Sequence, residues 1–325
     1  MRNLALEEQL FNCSNENSFE ELALEIFDFQ YKNVTCYQTF CNYLGRIRPQ
    51  KLEEIPFIPI SFFKSHKMAT TSQKEEIVFK SSGTTGTTRS NHYIPFLDVY
   101  ERSFLTTYKQ QIGNPKEQVI LALLPNYLEQ GDSSLVYMVN YLIQQSNHQL
   151  SGFYLNNYEQ LIKTINKAKT QNKDIVLFGV TYALLDLAEM NVNLSGVTVI
   201  ETGGMKGRRK ELIKEELHLA LKRDLSIQSL NSEYGMTELL SQAYLSEDLW
   251  FQPPKWMKIL IRDVNDVFNF LPDGQTGGVN IIDLANLYTC SFIATDDLGQ
   301  KKEDLFKIMG RFDNSDIRGC NLLVN

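Results

Sequence analysis

Apolar runs alternate with amphipathic segments through the middle of the chain. Continuous apolar runs predict buried strands at 119–124, 175–180, 197–200 and 226–230. Apolar residues at helical spacing predict helices at 135–143, 158–170, 182–190 and 209–223. Strands that alternate with helices predict right-handed βαβ units and mostly parallel sheets, whose ligands bind at the carboxyl ends of the strands.

The two ends of the chain have different patterns. Residues 1–48 have apolar positions at near-helical spacing, and the prolines at 55–60 predict an extended path. Strand patterns at 256–262 and 278–284 are joined through a Pro-Asp-Gly turn signal, which predicts a smaller antiparallel β subdomain. We expect one structural unit overall, composed of a helical N-terminal segment at 1–75 packed on the core, an α/β core at 76–245 and a β subdomain at 246–325.

Composition excludes several classes of protein. Of 325 residues, 43% are apolar and 22% are charged, so the chain is expected to be globular rather than disordered. A net charge of -7 gives no reason to expect nucleic acid. The N-terminus lacks the apolar core of a signal peptide, and no apolar run is long enough to span a membrane. Cytoplasmic localisation is therefore expected.

The cysteines and histidines do not predict a disulfide framework or a zinc site. The five cysteines are odd in number and contain no C-x-x-C pair. The four histidines are scattered along the chain without metal-ligand spacing. Free thiols fit a reducing compartment.

The run from Ser81 to Ser90 is the strongest candidate binding motif. It follows a strand-like segment at 76–80, and Gly83 and Gly86 allow backbone N–H groups to surround an anion. A Walker P-loop is excluded, because Thr88 occupies its second glycine position and Arg89 its lysine position. A flexible Ser/Thr/Gly linker is the alternative, but the apolar flanks favour phosphate binding.

Four later segments carry groups that suit a nucleotide. Gly203 and Gly204 follow a strand, where a ring or a phosphate can approach the backbone, although paired glycines are also common in simple turns. The segment 233–238 offers an aromatic ring for adenine and a carboxylate for Mg²⁺, or else a surface turn. Segments 295–299 and 310–319 offer carboxylates for ribose hydroxyls or a metal, although such residues are also common in turns between strands.

In this order and spacing, these segments resemble the adenylate-forming superfamily of acyl-CoA synthetases, peptide-synthetase adenylation domains and firefly luciferase. The resemblance covers about residues 75–320 and implies the large N-terminal domain of that fold, with 76–245 as its α/β nucleotide-binding core. It also implies that the loop closing on the ATP phosphates consists of Ser81, Ser82, Gly83, Thr84, Thr85, Gly86, Thr87 and Thr88. Arg89 stands where the superfamily usually has lysine.

The same resemblance assigns roles to the later residues. Gly203 and Gly204 border the adenine and acyl pockets. Tyr234 stacks on adenine, Thr237 contacts phosphate, and Glu238 holds Mg²⁺. The ribose is bound by Asp297 and Arg311, and Asp313 is the hinge residue.

Within the superfamily, the chain resembles the LuxE family of acyl-protein synthetases from bacterial bioluminescence systems. The segment 55–64, the loop 81–86 followed by His92, and the segment 318–322 carry that resemblance. It implies that Cys320 accepts the acyl group. The sequence ends at Asn325, so the small C-terminal domain and its catalytic lysine are expected to be missing. His92 is a candidate for binding the acyl carboxylate or AMP, with a structural hydrogen bond as the alternative.

The expected function is ATP-dependent activation of a carboxylic acid, a fatty acid by resemblance, with ATP and Mg²⁺ as cofactors. The acyl group then passes from AMP to a cysteine thiol and onward to a reductase, an acyltransferase or an acyl carrier protein. One alternative is an acid:thiol ligase that acts on CoA or a carrier protein. Another is a non-catalytic nucleotide-binding or scaffold protein.

Overall fold

The computed structural model describes residues 2–13, 15–82, 88–125, 131–155, 157–203, 214–245 and 249–312. The helices in these ranges are α1 Leu4–Phe11, α2 Glu16–Asn33, α3 Thr35–Leu44, α4 Phe62–Ser65, α5 Leu97–Gln111, α6 Ser134–Ser146, α7 Tyr158–Thr170, α8 Thr181–Glu189 and α9 Lys214–Asp224. The strands are β1 Ile58–Pro59, β2 Ile77–Lys80, β3 Asn91–Ile94, β4 Gln118–Leu123, β5 Gly152–Phe153, β6 Asp174–Val180, β7 Val197–Thr202, β8 Leu230–Tyr234, β9 Ala243–Leu245, β10 Phe251–Gln252, β11 Met257–Arg262, β12 Gly277–Asp283, β13 Phe292–Lys302 and β14 Leu305–Arg311.

The chain forms two compact units that alternate along the sequence. One unit comprises Met1–Glu76, His92–Pro95 and Lys255–Asn325, and the other comprises Ile77–Asn91 and Phe96–Pro254. We call them the terminal unit and the central unit. The predicted segments 1–75, 76–245 and 246–325 were consecutive, and their boundaries remain a prediction.

The central unit is an α/β sheet with parallel strands at its centre. The strand order is β10-β9-β8-β7-β6-β4-β5. The strands from β8 to β5 run parallel, and β9 and β10 join them in antiparallel pairs. Every residue of β4 is buried, as the continuous apolar run predicted. Parallel neighbours bring the carboxyl ends of β7 and β8 to one edge of the sheet.

The terminal unit contains an antiparallel sheet in the order β11-β12-β13-β14, and β1 runs parallel to β13. Gln30, from the last turn of α2, is fully buried in this unit. Its side-chain amide donates to the carbonyls of Asn286 and Leu287, and its carbonyl accepts from the Ser291 backbone N–H. These bonds satisfy a buried amide and attach the N-terminal helices to the β subdomain.

The α/β fold class with a smaller antiparallel sheet is confirmed, and one strand prediction is wrong. The strand expected at 226–230 begins at Leu230 and continues to Tyr234. The chain turns before it, since Ser226 has a left-handed φ of 57°. The polar residues Ser232 and Glu233 belong to the strand because their side chains are hydrogen-bonded to residues of β7.

Gly277 provides a test of packing in the terminal sheet. A Cβ at this position would lie 2.3 Å from the Arg262 backbone oxygen and 2.8 Å from the Ile261 side chain. We expect Gly277→Ala to lower the free energy of unfolding by about 1–3 kcal/mol, the usual cost of overpacking. Urea unfolding measures this. The control Gly152→Ala, whose Cβ would have its nearest neighbour at 3.7 Å, should change stability by less than about 0.5 kcal/mol. Equal effects would contradict the packing argument.

Candidate active site

The two described ends of the predicted phosphate loop are hydrogen-bonded to each other. The Ser81 N–H donates to the Ser90 carbonyl at 3.1 Å, and the Ser90 N–H donates to Ser81 Oγ at 2.9 Å. The Arg89 guanidinium donates to the Ser81 carbonyl and, at 3.2 Å, to Asp132. Lys80 Nζ also lies 3.7 Å from Asp132. Arg89 therefore holds the base of the loop. Residues 83–87 lie outside the described residues.

A second group of residues lies at the carboxyl ends of β7 and β8. Glu201 is buried, and its Oε2 accepts from Ser232 Oγ at 2.8 Å and from Lys214 Nζ at 3.3 Å. Its Oε1 accepts from the Thr181 hydroxyl, which also lies 3.0 Å from the Gly203 carbonyl. A buried carboxylate needs such partners to offset desolvation. Gly203 has a φ of 72°, so glycine suits this position. Gly204 lies outside the described residues.

His218 extends this network as a neutral imidazole. Burial, followed by the positive charge of Lys214, lowers the His218 pKa to about 4. The Ser232 hydroxyl proton is directed at Glu201, so His218 Nε2, 3.0 Å from Ser232 Oγ, must be the protonated donor. The proton order is imidazole to hydroxyl to carboxylate. This excludes a serine activated by histidine, because the serine is fully buried and donates away from the imidazole.

Glu233 is the second acidic group at this edge. It lies opposite Thr202 in the strand register, and its Oε2 accepts from the Thr202 hydroxyl. Burial, then the negative charge of Glu201, raises the Glu233 pKa to about 7, against the opposing effects of Thr202 and Lys214.

The predicted adenine and magnesium residues follow directly on this strand. Tyr234 is the last residue of β8, is half-buried, and its ring centroid lies 5.7 Å from that of Phe251. Thr237 is also half-buried, and Glu238 is buried with 5% exposure. Gly203 and Tyr234 thus lie at the carboxyl ends of β7 and β8, and Thr237 and Glu238 follow in the connection to β9.

The predicted ribose residues form a pair in the terminal unit. Asp297 on β13 lies opposite Arg311 on β14, and Arg311 Nε donates to Asp297 Oδ1 at 2.9 Å. The Asp297 side chain is 5% exposed, whereas that of Arg311 is 72% exposed. Asp313 and Cys320 lie outside the described residues.

Sequence reasoning did not single out Arg262, which lies close to this pair. It donates to the carbonyls of Val279 and Thr295 and to the Asn280 side chain, at 2.7–2.9 Å. Burial lowers its pKa, while the charges of Asp296 and Asp297 oppose that shift. Gly278 makes room for it, since a Cβ there would lie 2.4 Å from Arg262 Cζ. An arginine followed much later by a Gly-Gly pair is a weak signal in sequence.

His92 is fully buried in the terminal unit. Its Nε2 lies 3.1 Å from Thr289 Oγ1, and its ring packs edge-on against Phe63 at 5.4 Å. These contacts match the structural alternative, and a role for His92 in binding substrate remains a prediction.

The model of the family described as "Acyl-protein synthetase, LuxE" matches residues 2–325. The chain belongs to the LuxE family. This LuxE family member is 24% identical over 314 residues to the long-chain-fatty-acid–luciferin-component ligase of Aliivibrio fischeri, covering 89% of this chain and 82% of that one.

Two solved structures share the fold of this LuxE family member. ATP-bound MatB from Rhodopseudomonas palustris matches 72% of the chain at 15% identity with a TM-score of 0.55, and the chain spans only 47% of its length. A 2-hydroxyisobutyryl-CoA ligase in complex with 2-HIB-AMP and CoA matches 93% of the chain at 12% identity with a TM-score of 0.67, over 70% of its own length.

These findings confirm the predicted family, the fold and the ligase class. The LuxE family member is an ATP-dependent enzyme that activates an acid and transfers the acyl group. Among its described residues, no helix is long and apolar enough to cross a membrane. The same residues contain no cluster of three or more acidic, histidine or cysteine side chains that could hold a metal. The assigned roles of individual site residues remain predictions.

The neutral state of His218 predicts a pH dependence of stability. Its pKa is about 4 in the folded chain and about 6.5 when exposed, so the unfolded chain binds more protons between these values. Stability should therefore fall as the pH falls from about 6.5 to 4, by up to about 3 kcal/mol from this group. Urea unfolding of wild type and His218→Gln across that range isolates the effect, because glutamine does not titrate. Parallel curves would contradict the prediction.

Proposed function

We propose that this enzyme activates a long-chain fatty acid as acyl-adenylate and transfers the acyl group to Cys320. The observation that carries the proposal is the LuxE family match over residues 2–325. The name of the Aliivibrio fischeri relative supports a long-chain fatty acid as the substrate.

The nucleotide-binding roles follow from the residues at the strand ends. Tyr234 offers a half-buried ring on which adenine can stack, and Gly203 leaves the neighbouring backbone accessible. Thr237 offers a hydroxyl for a phosphate oxygen. Asp297 and Arg311 together offer an acceptor and donors for the ribose hydroxyls. The loop after Ser82 supplies backbone N–H groups for the β- and γ-phosphates.

Mg²⁺ fits the donor chemistry of Glu238. Mg²⁺ is usually held by one or two carboxylates, with substrate phosphates and water as its other ligands. A single buried carboxylate therefore suffices, and no larger acidic cluster is needed among the described residues. When bound, the ion would neutralise negative charge on the ATP phosphates.

The first step forms an acyl-adenylate. A carboxylate oxygen of the fatty acid attacks the α-phosphorus of ATP, a new O–P bond forms, and the bond from the α-phosphorus to the oxygen that bridges to the β-phosphorus breaks. Pyrophosphate leaves with that oxygen. The loop amides stabilise the charge that develops on the phosphates. Arg89 acts by holding the loop ends, through its bonds to Ser81 and Asp132.

The second step forms a thioester. The Cys320 thiol loses its proton to solvent, and the thiolate attacks the acyl carbonyl carbon. The carbon–sulfur bond forms, the bond from that carbon to the phosphate oxygen breaks, and AMP leaves. An acyl reductase, an acyltransferase or an acyl carrier protein of the cytoplasm would then receive the acyl group.

The four cysteines in the described ranges are poor candidates for the acyl acceptor, which favours Cys320 for that role. Burial raises the pKa of Cys41 to about 12, and it raises the pKa values of Cys36 and Cys290 as well. A thiol whose pKa is raised has little thiolate at neutral pH. Cys13 is buried, with its sulfur 3.6 Å from the Ser18 hydroxyl. These four thiols are poorly suited to attack an acyl-adenylate.

Two assays separate the two steps. Wild type should catalyse ATP–pyrophosphate exchange that depends on a long-chain fatty acid, and intact-mass analysis should show one acyl group on the protein. Cys320→Ala should retain the exchange and lose the stable acyl group, because adenylation does not need the thiol.

The matched control is Cys36→Ala, which should keep both the exchange and the acylation. Exchange that is absent from wild type with every acid would contradict the proposed function. Exchange with no acyl-protein, but with a CoA thioester formed by wild type and Cys320→Ala alike, would contradict Cys320 as acceptor.

A further inference from the structure

The loop 235–242, which carries Thr237 and Glu238, is closed at its base by the pairing of β8 with β9. Tyr234 lies opposite Ala243, and Glu233 lies opposite Tyr244. Successive strand residues point to opposite faces, so Glu233 and Tyr244 share the face that Tyr234 does not occupy. Glu233 therefore lies at the base of the loop, beside the residue proposed to contact adenine.

The carboxyl group of Glu233 lies against Gly235, the first residue of the loop. A Cβ on Gly235 would lie 2.3 Å from Glu233 Oε1 and 3.4 Å from Gln242 Cγ. Both side chains thus approach the same glycine from the two ends of the loop. Gln242 Oε1 and the Tyr244 hydroxyl are buried, and neither has a hydrogen-bond partner among the described residues. Such buried polar atoms require an explanation.

Among the residues that the structure describes, the charges around this base do not balance. Glu201 and Glu233 are two acidic groups on neighbouring strands, and Lys214 is the cation that interacts with both. Within the described ranges, the other titratable groups that face Glu233 are Tyr100 from α5 and Tyr244 from β9, both uncharged because burial raises their pKa values. One ammonium balances one carboxylate. Glu233, the second acidic group, is more stable in its neutral form, because no second cation among the described residues balances its charge.

We propose that Glu233 is a positioning residue that acts as a neutral acid and holds the base of the loop 235–242 in the geometry that binds ATP. Its Oε2 accepts the Thr202 hydroxyl proton, so the acid proton lies on Oε1. In this proposal the proton supplies the donor that the buried Gln242 Oε1 lacks among the described residues, which a carboxylate would not supply. This inference rests on the proposed function of the loop.

The neutral acid predicts that ATP binding weakens at alkaline pH. The Glu233 pKa, about 7 in the folded chain, places its ionisation within the working range of an enzyme. If only the neutral form holds the loop, ATP affinity should fall about tenfold for each pH unit above that value. Glutamine keeps a donor and cannot ionise, so Glu233→Gln should bind ATP without this fall. Glu233→Ala should bind weakly at every pH.

Calorimetric titration with ATP from pH 6 to 9 measures these affinities. The matched control is Glu159→Gln, at an exposed position, which should keep the wild-type pH profile of ATP affinity. The neighbouring charges give a sharper test. Glu201→Gln removes a negative charge, which should move the fall to lower pH. Lys214→Met removes a positive charge, which should move it to higher pH. If Glu233 had a purely structural role, its substitution would lower the affinity for ATP, but the two neighbouring substitutions would not move the pH of the fall in opposite directions.

A second readout does not depend on catalysis. Infrared difference spectra against pH should show the band of a neutral carboxylic acid that disappears near pH 7 in wild type and is missing from Glu233→Gln. Two results would overturn the inference. One is a wild-type pH profile of ATP affinity in Glu233→Gln, and the other is a shift of that profile in the same direction by Glu201→Gln and Lys214→Met. If the wild-type protein shows no pyrophosphate exchange, only the proposed function is rejected. ATP binding and the infrared band still test the role of Glu233.

Discussion

The buried carboxylate of Glu201 is the constraint on which the arrangement of the central unit's site depends. A buried charge is tolerated only when its lone pairs are satisfied, and here the partners come from α8, β8 and α9. Satisfying this group therefore fixes the ends of two parallel strands relative to two helices. Gly203 and Tyr234, which are separated by 30 positions in the sequence, depend on the same anchor.

Charged side chains serve as supports elsewhere in the molecule too. Arg89 and Asp132 hold the ends of the predicted phosphate loop, and Arg262 is bonded to the strands around Asp297. In each case a guanidinium binds backbone carbonyls, so its several donors position the main chain. The supports lie on the strands or at the loop ends, while the groups proposed to contact ATP lie beyond them.

Sequence patterns predicted most of the fold because buried apolar residues recur along the sequence with the period of the helix or strand that carries them. The buried run of β4 and the amphipathic α7 were placed nearly to their boundaries, whereas β8 was placed too early because its polar residues interrupt the apolar pattern. Motif order predicted the family. It could not reveal that Asp132 meets Arg89, or that Glu201 meets Lys214, because those pairings are created by the fold. The displacement of the Glu233 pKa likewise depends on neighbours from several elements.

The central claim is that the carboxyl ends of β7 and β8 form the nucleotide-binding edge of this LuxE enzyme. The most direct test is a crystal structure with a stable acyl-adenylate analogue, in which a sulfamoyl group replaces the phosphate. The account predicts that the adenine ring stacks on Tyr234 beside the Gly203 backbone. An adenine bound at another part of the sheet, with Tyr234 making no contact to it, would contradict the account.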